Sequence, residues 1–283
     1  MRLAGALWMF WFQRGYFREG IERLDHLLAI DDRPTAARAR TLTGSGSLHT
    51  FALDLDTGQQ RQEEALQIYF DLDDERGAAY ARLALGIVAN ERRDYERSLT
   101  IFQESLDEFR RLGDDHGTLL GLQTVSFASL RMGETERAWE LRRQIAPLAR
   151  ETGNPRMLGV GLRFEAMIAR DEGRLDDAVA LLDEAHQIHH DHADIREISW
   201  DLLEAANILE VVNHASEAAQ VLSQSQFLRN DRGIAIGWMD EETSSLSDVL
   251  RSRLGDTAFQ AAWERGRVLD YDEAFAVLLG QDP

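Results

Sequence analysis

Small residues recur every 40 positions along this 283-residue chain, and that spacing constrains the fold more than any other feature. Ser98, Ala138, Ala178 and Ala218 form one such series, each inside a similar frame. The frames are Asp94-Tyr95-Glu96-Arg97-Ser98, Glu134-Thr135-Glu136-Arg137-Ala138, Arg174-Leu175-Asp176-Asp177-Ala178 and His214-Ala215-Ser216-Glu217-Ala218. Gly46, Gly86, Ser126, Ala166 and Ala206 form a second series. A third marks loops: Phe70 to Gly77 matches Phe109 to Gly117 nearly in register.

Each period reads as two helices. Ala81, Leu85, Val88 and Ala89 share one helical face, and Leu99, Phe102, Leu106 and Phe109 share another. The link between them is short, so the two helices are antiparallel neighbours. Gly15, Gly133, Gly173 and Asn213 stand at the corresponding turn, where a left-handed residue ends a helix. Arg93 stands there in the third unit and predicts a somewhat different turn.

Six hairpins follow, at about 1–31, 34–74, 76–114, 116–153, 155–193 and 195–232. The second is degenerate, with Gly44-Ser45-Gly46-Ser47 in its first helix and a weak link at Asp54 to Gly58. After Gly233 the pattern changes to three shorter helices, Met239 to Leu254, Thr257 to Arg267 and Asp272 to Leu279. Asp270 and Glu273 suggest a capping box for the last of them. The expected fold is all-α: a right-handed solenoid of antiparallel hairpins over residues 1–233, closed by a helical cap over residues 234–283.

Composition excludes several chemistries. Cysteine is absent, and all 31 basic residues are arginine. Thiolate nucleophiles, cysteine metal sites, a P-loop lysine and a Schiff-base lysine are therefore impossible within the chain. A net charge of −19 repels phosphate backbones and anionic lipid heads, so neither nucleic acid nor membrane is an expected partner. The apolar run Leu3 to Phe12 is too short to span a bilayer and lacks a small-residue cleavage site behind it. A buried first helix and a cytoplasmic location are the expectation.

The hairpins, the small–x–small pattern and the Asp-Tyr-x-x-Ser or Gly-x-x-x-x-Ala turn resemble tetratricopeptide repeats. Leu85-Gly86 stands where that family's first helix carries Leu-Gly. The family period is about 34 residues, so a period of 40 implies longer helices or loops. The proline that often ends the family's second helix is missing from most units, Pro147 and Pro155 being the nearest cases. Segments Leu7-Trp8 to Gly20 and Leu254-Gly255 to Arg267 are similar to the C-terminal repeat arm of large bacterial signalling ATPases, including LuxR-type regulators. That resemblance implies a non-enzymatic sensing module working beside a switch ATPase domain in the same native polypeptide. The opening inside a hairpin suggests a fragment of a longer protein. A free-standing adaptor is the alternative, and a metal-dependent or small-molecule enzyme using the groove is a third reading.

Several side-chain groups could carry chemistry. His186 and His190 share a helical face and, with Asp183, could ligate zinc or nickel. No His-Glu-x-x-His-type frame supports that site, so histidines complementing the dipole at a helix end are the preferred reading, and no metal or cofactor is expected. Gly44-x-Gly46 has neither a preceding strand nor a following lysine, so it reads as tight helix packing rather than a phosphate loop. The many paired acids fall at loops and helix starts, where they favour the dipole. The aromatics Trp8, Phe10, Trp11, Phe12, Tyr16 and Phe17 read as core; any left exposed would favour a homodimer through the N-terminal hairpin.

Mapping the repeat frame onto the first helix of each hairpin yields a candidate protein- or peptide-binding face. It comprises Arg40, Thr43, Ser47, Tyr80, Asn90, Gln123, Phe127, Arg131, Arg163, Met167, Arg170, Trp200 and Asn207. Its arginines suit carboxylates or phosphates, unless Asp171, Asp201 or Glu204 neutralise them from within.

Overall fold

A computed structural model describes residues 1–281. All regular structure among these residues is α-helical, and it falls into two compact units, Met1–Asn154 and Pro155–Pro283. The first unit holds α1 (Arg2–Gln13), α2 (Phe17–Ile30), α3 (Ala36–Phe51), α4 (Leu55–Asp71), α5 (Glu75–Glu91), α6 (Tyr95–Leu112), α7 (Asp115–Arg131), α8 (Thr135–Arg142) and α9 (Ile145–Glu151). The second holds α10 (Pro155–Asp171), α11 (Leu175–Asp191), α12 (Ile195–Val211), α13 (Ala215–Arg232), α14 (Gly237–Leu254), α15 (Asp256–Arg267) and α16 (Tyr271–Leu278). Within the units α3 packs with α4, α5 with α6, α10 with α11 and α12 with α13, the antiparallel hairpins that the short links predict.

The turns are more regular than the residue identities suggest. Leu53, Asp73, Arg93, Gly113, Gly133, Gly153, Gly173, Ala193, Asn213 and Gly233 all have positive φ, one every 20 residues. After each, the next backbone N–H reaches back to the carbonyl five residues earlier: Asp94 to Ala89 and Asp114 to Phe109 at 3.0 and 2.9 Å. This is a Schellman closure, which satisfies the helix's last carbonyls. At several of these turns the residue making that bond also caps the next helix. Asp54, Asp74, Asp94, Asp114 and Asp194 each accept a backbone N–H three residues on.

Two expectations are corrected here. Arg93, at φ 64°, adopts the same left-handed conformation as its glycine counterparts, so its turn does not differ. The closure needs that conformation whatever the side chain, and a non-glycine residue there costs about 1–3 kcal/mol. The second hairpin is not degenerate: Leu53 and Asp54 form a standard turn, and Gly58 extends the small-residue series of Ser98. The fourth hairpin is the irregular one. Its second half is split into α8 and α9 just before Pro147. Proline has no N–H for the Arg143 carbonyl, and its ring crowds that carbonyl.

Small residues sit where the helices touch. A Cβ on Gly44 would lie 2.6 Å from the Trp8 side chain, and one on Gly86 would lie 2.6 Å from the Phe102 ring. Ser98, Ala138, Ala178 and Ala218 are fully buried. Gly44 and Gly46 thus serve packing. Trp11, Phe12 and Phe17 are core, whereas Phe10 and Tyr16 stay exposed at 47% and 43%.

In the second unit α13 ends at Gly233, where the change of pattern was expected. Beyond it α14, α15 and α16 pack on α13, and α14 and α16 also reach α12. The Asp270–Glu273 capping box forms as expected. No helix among the described residues is long and apolar enough to cross a membrane.

Candidate functional site

In the first unit the candidate residues lie on α3, α5 and α7, successive first helices packed side by side. They differ in what they touch. Arg40 is exposed. Thr43 and Ser47 hydroxyls donate to carbonyls within α3, and Gln62 of α4 donates to Ser47 at 3.3 Å, so this pair serves the hairpin. Asn90 is buried. Gln123 and Phe127 are half-buried and Arg131 is exposed; their i, i+4, i+8 spacing makes one stripe along α7. Arg131 donates to the Tyr95 hydroxyl at 2.8 Å and lies over that ring.

Tyr80 lies beside a polar pocket of about 360 Å³ at the α6–α7 turn, its ring centroid 6.4 Å from that of His116; the pocket is lined by Arg76, Asp114, His116, Thr152 and Asn154 among others. Asp114, only 7% exposed, accepts from Arg76 Nε at 2.6 Å and from the Gly117 N–H. Burial resists its ionisation, but the Gly117 N–H and Arg76 outweigh this and hold its carboxyl below the usual range. Burial and then the Asp114 charge push the Tyr80 phenol up. Asp114 therefore stays ionised and Tyr80 protonated near neutrality, an arrangement suited to holding polar groups. Sequence reading missed this pocket, although Asp114 stood in plain view as a helix-start acid.

In the second unit the candidates fall on a buried ladder of charge. Arg156, Arg163 and Arg170 stand seven residues apart on α10; Asp194, the N-cap of α12, and Glu197, Asp201 and Glu204 within it alternate by three and four. Arg156 meets Asp194 and Glu197 at 2.7 and 2.8 Å. Arg163 meets Glu197 and Asp201 at 2.6 and 2.9 Å, with its guanidinium 3.9 Å over the Trp200 ring. Arg170 meets Glu204 and Asp171. The internal neutralisation weighed from the sequence is the arrangement found. Arg163 is fully buried and Trp200 is 5% exposed, which fixes both inside the unit. Met167 is half-buried, as is Asn207, which donates to Glu242 of α14 at 3.2 Å. Burial resists ionisation of Glu197 and Asp201. For Glu197, Arg196, Arg163 and Arg156 outweigh it; for Asp201, His189, His186 and Arg163 do. Both carboxyls titrate below the usual range. Paired stripes of opposite charge on successive first helices are a sequence signal that could have revealed the ladder.

The histidines divide between two tasks. His189 meets Asp201 at 2.7 Å, and only a glycine fits opposite it, since a Cβ on Gly159 would lie 2.5 Å from its Nε2. His186 is 2% exposed and stacks at 3.8 Å on Phe275 of α16. His190 lies 3.4 Å from Asp272. The partner of His186 and His190 is thus α16. Among the described residues no three His, Asp or Glu side chains converge to hold a metal ion.

The two units share one design, an all-α repeat of antiparallel hairpins. No protein-family model matches the chain, and no curated protein matches it by sequence. Solved structures do. A Rap protein complexed with Competence and Sporulation Factor matches with a TM-score of 0.62 and 15% identity, covering 91% of this chain and 74% of that one. The apo form of RapI matches with a TM-score of 0.62 and 11% identity over 98% of both chains. BtubC (BKLC) from P. vanneervenii matches with a TM-score of 0.52 and 11% identity, over 77% of this chain and 90% of that one. The chain has the tetratricopeptide-like helical repeat fold of the Rap proteins.

Proposed function

We propose that the chain is a non-enzymatic interaction module that binds a peptide or protein segment along the first helices of its first unit. The observation that carries this reading is the fold it shares with the Rap protein complexed with Competence and Sporulation Factor. Repeat arrays present side chains from successive first helices along one face. Gln123, Phe127 and Arg131 form such a stripe on α7, with Arg40 exposed on α3. A segment bearing carboxylates suits the exposed Arg40 and Arg131 of this face. Selection from a displayed random-peptide library tests this. Enriched peptides should lose at least about tenfold in affinity when Phe127→Ala and Arg131→Glu are combined, a loss of about 1.4 kcal/mol, with thermal stability little changed. No enrichment, or binding indifferent to both substitutions, would sink the reading.

A finer reading makes the chain the arm of a bacterial signalling or transcriptional regulator, acting on a switch ATPase domain from the cytoplasm. The resemblance of Leu7-Trp8 to Gly20 and of Leu254-Gly255 to Arg267 supports it over a free-standing adaptor. An open frame upstream of codon 1 that encodes a P-loop would sustain it; a stop codon there would favour the adaptor. Exposed Leu3, Leu7, Phe10 and Tyr16 also support a homodimer through the N-terminal hairpin. Light scattering showing only monomer at high concentration would exclude that dimer.

A further inference from the structure

α14 and α15 fold back on each other at Gly255 and both pack on α13, with a cleft between them. Its two lobes hold about 370 and 530 Å³ and share the side chains of Arg251, Phe259, Gln260 and Glu264. Each wall carries two carboxylates eight residues apart, Asp240 and Asp248 on α14 and Asp256 and Glu264 on α15. Eight helical residues rise about 12 Å. The helices run antiparallel, so the acids form one pair at each end of the cleft. Near the turn, Arg251 answers Asp248 and Asp256. It lies 3.4 Å from the first and 3.7 Å from the second, and its guanidinium rests 4.7 Å over the Phe259 ring. These are loose contacts of an exposed side chain. At the far end Asp240 and Glu264 share the cavity with the half-buried ring of Trp263, 5.4 Å from that of Phe259. Glu264 accepts from the neutral amide of Gln260 at 2.9 Å. Arg229, fully buried and set back from the cleft, lies 3.4 Å from Asp240 and donates to the Thr243 hydroxyl at 2.9 Å. Thr243, 2% exposed, and Ser247 add hydroxyl oxygens to the lining. Four carboxylates therefore stand against two guanidiniums, around two aromatic rings.

We propose that this cleft binds a linear aliphatic polyamine. One ammonium takes the end formed by Asp240, Glu264 and Trp263, where carboxylates, a hydroxyl oxygen and a ring all favour a cation. A second displaces the Arg251 guanidinium from Asp248, Asp256 and Phe259. Arg251 is the cleft's own stand-in for that group, a cation seated on an aromatic ring between two acids. The alkyl chain joining the two ammoniums lies along the Phe259 and Trp263 rings and spans the cleft. A hydrated metal ion gains nothing from the rings and reaches only one end. The proposal draws nothing from the peptide-binding reading of the first unit.

Calorimetric titration of the full chain with spermidine is the test, and one molecule should bind per chain. Glu264→Gln should weaken binding about tenfold, through loss of a charge-assisted pair. Trp263→Leu should weaken it about threefold. Arg251→Ala should tighten it about threefold, because the competing guanidinium is gone. Glu264 and Arg251 are exposed, so those two variants keep the test intact should Trp263→Leu fail to fold. Arg33→Ala makes the same change of charge on the exposed surface of the first unit and should leave the affinity unchanged. Spermidine should also shift the indole N–H resonance of Trp263, and an equal concentration of magnesium should not displace it. The absence of saturable binding, complete displacement by magnesium, or equal tightening by Arg251→Ala and Arg33→Ala would overturn the proposal.

Discussion

The two units build the same hairpin from the same turn chemistry but fill the space between their helices differently. In the first, contact is made by small residues under aromatic rings, as Gly77 under Tyr69 and Gly117 under Phe109. Arg111–Glu108 and Arg92–Asp56, its surface pairs, stay in water. In the second, α10 and α12 meet through arginines and acids removed from solvent. Apolar contacts tolerate loss in proportion to volume, whereas a buried ion pair fails when either partner is removed, because the survivor keeps its desolvation cost. The second unit therefore concentrates its risk in a few side chains. The first spreads it over many close approaches.

That contrast is breakable by substitution. Arg163→Met leaves Glu197 and Asp201 buried without their shared cation, and about 3–5 kcal/mol of stability should go, read by urea denaturation of the full chain. A loss under 1 kcal/mol would mean the ladder relaxes by admitting water. Acid should then separate the units. Glu197 and Asp201 titrate below their ordinary values of 4.5 and 3.8, so their contribution is present above that range and is lost as pH falls through it. Exchange monitored during acid titration should show the second unit opening first; simultaneous opening would erase the distinction.

Gly117→Ala probes the first unit. The added Cβ would stand 2.2 Å from the Phe109 ring, and overpacking there should cost about 1–3 kcal/mol in a thermal or urea melt. An unchanged melting curve would show that Phe109 can swing aside. The smallest effect is expected at Arg93→Gly, which relieves a left-handed residue at φ 64° but loosens the unfolded chain. A gain below about 1 kcal/mol is expected, and a loss would mean that the arginine side chain itself holds the turn.

Local rules carried the sequence reading a long way. Residues 40 apart mark where helices must approach closely, because only Gly, Ala or Ser fits there. Asp94 and Asp114 announce helix starts because a carboxylate can cap free N–H groups. These causes act within a few residues, so they are written in the chain itself. Arg93 misled because the conformation of its turn is imposed by the closing hydrogen bond and not by the residue's own preference.

The candidate face was less legible. Arg131 and Arg163 look equivalent in sequence, yet one is exposed beside Tyr95 and the other is sealed between Glu197, Asp201 and Trp200. The pairing of His186 with Phe275 joins residues 89 apart, and no local spacing announces it. The sequence by itself determined the helices, their turns and their pairing, because each depends on backbone bonds closed within about one turn. Only the tertiary structure decided which charges are buried together. Burial is set by what the rest of the chain lays over a residue, and its electrostatic cost depends on partners brought from distant helices.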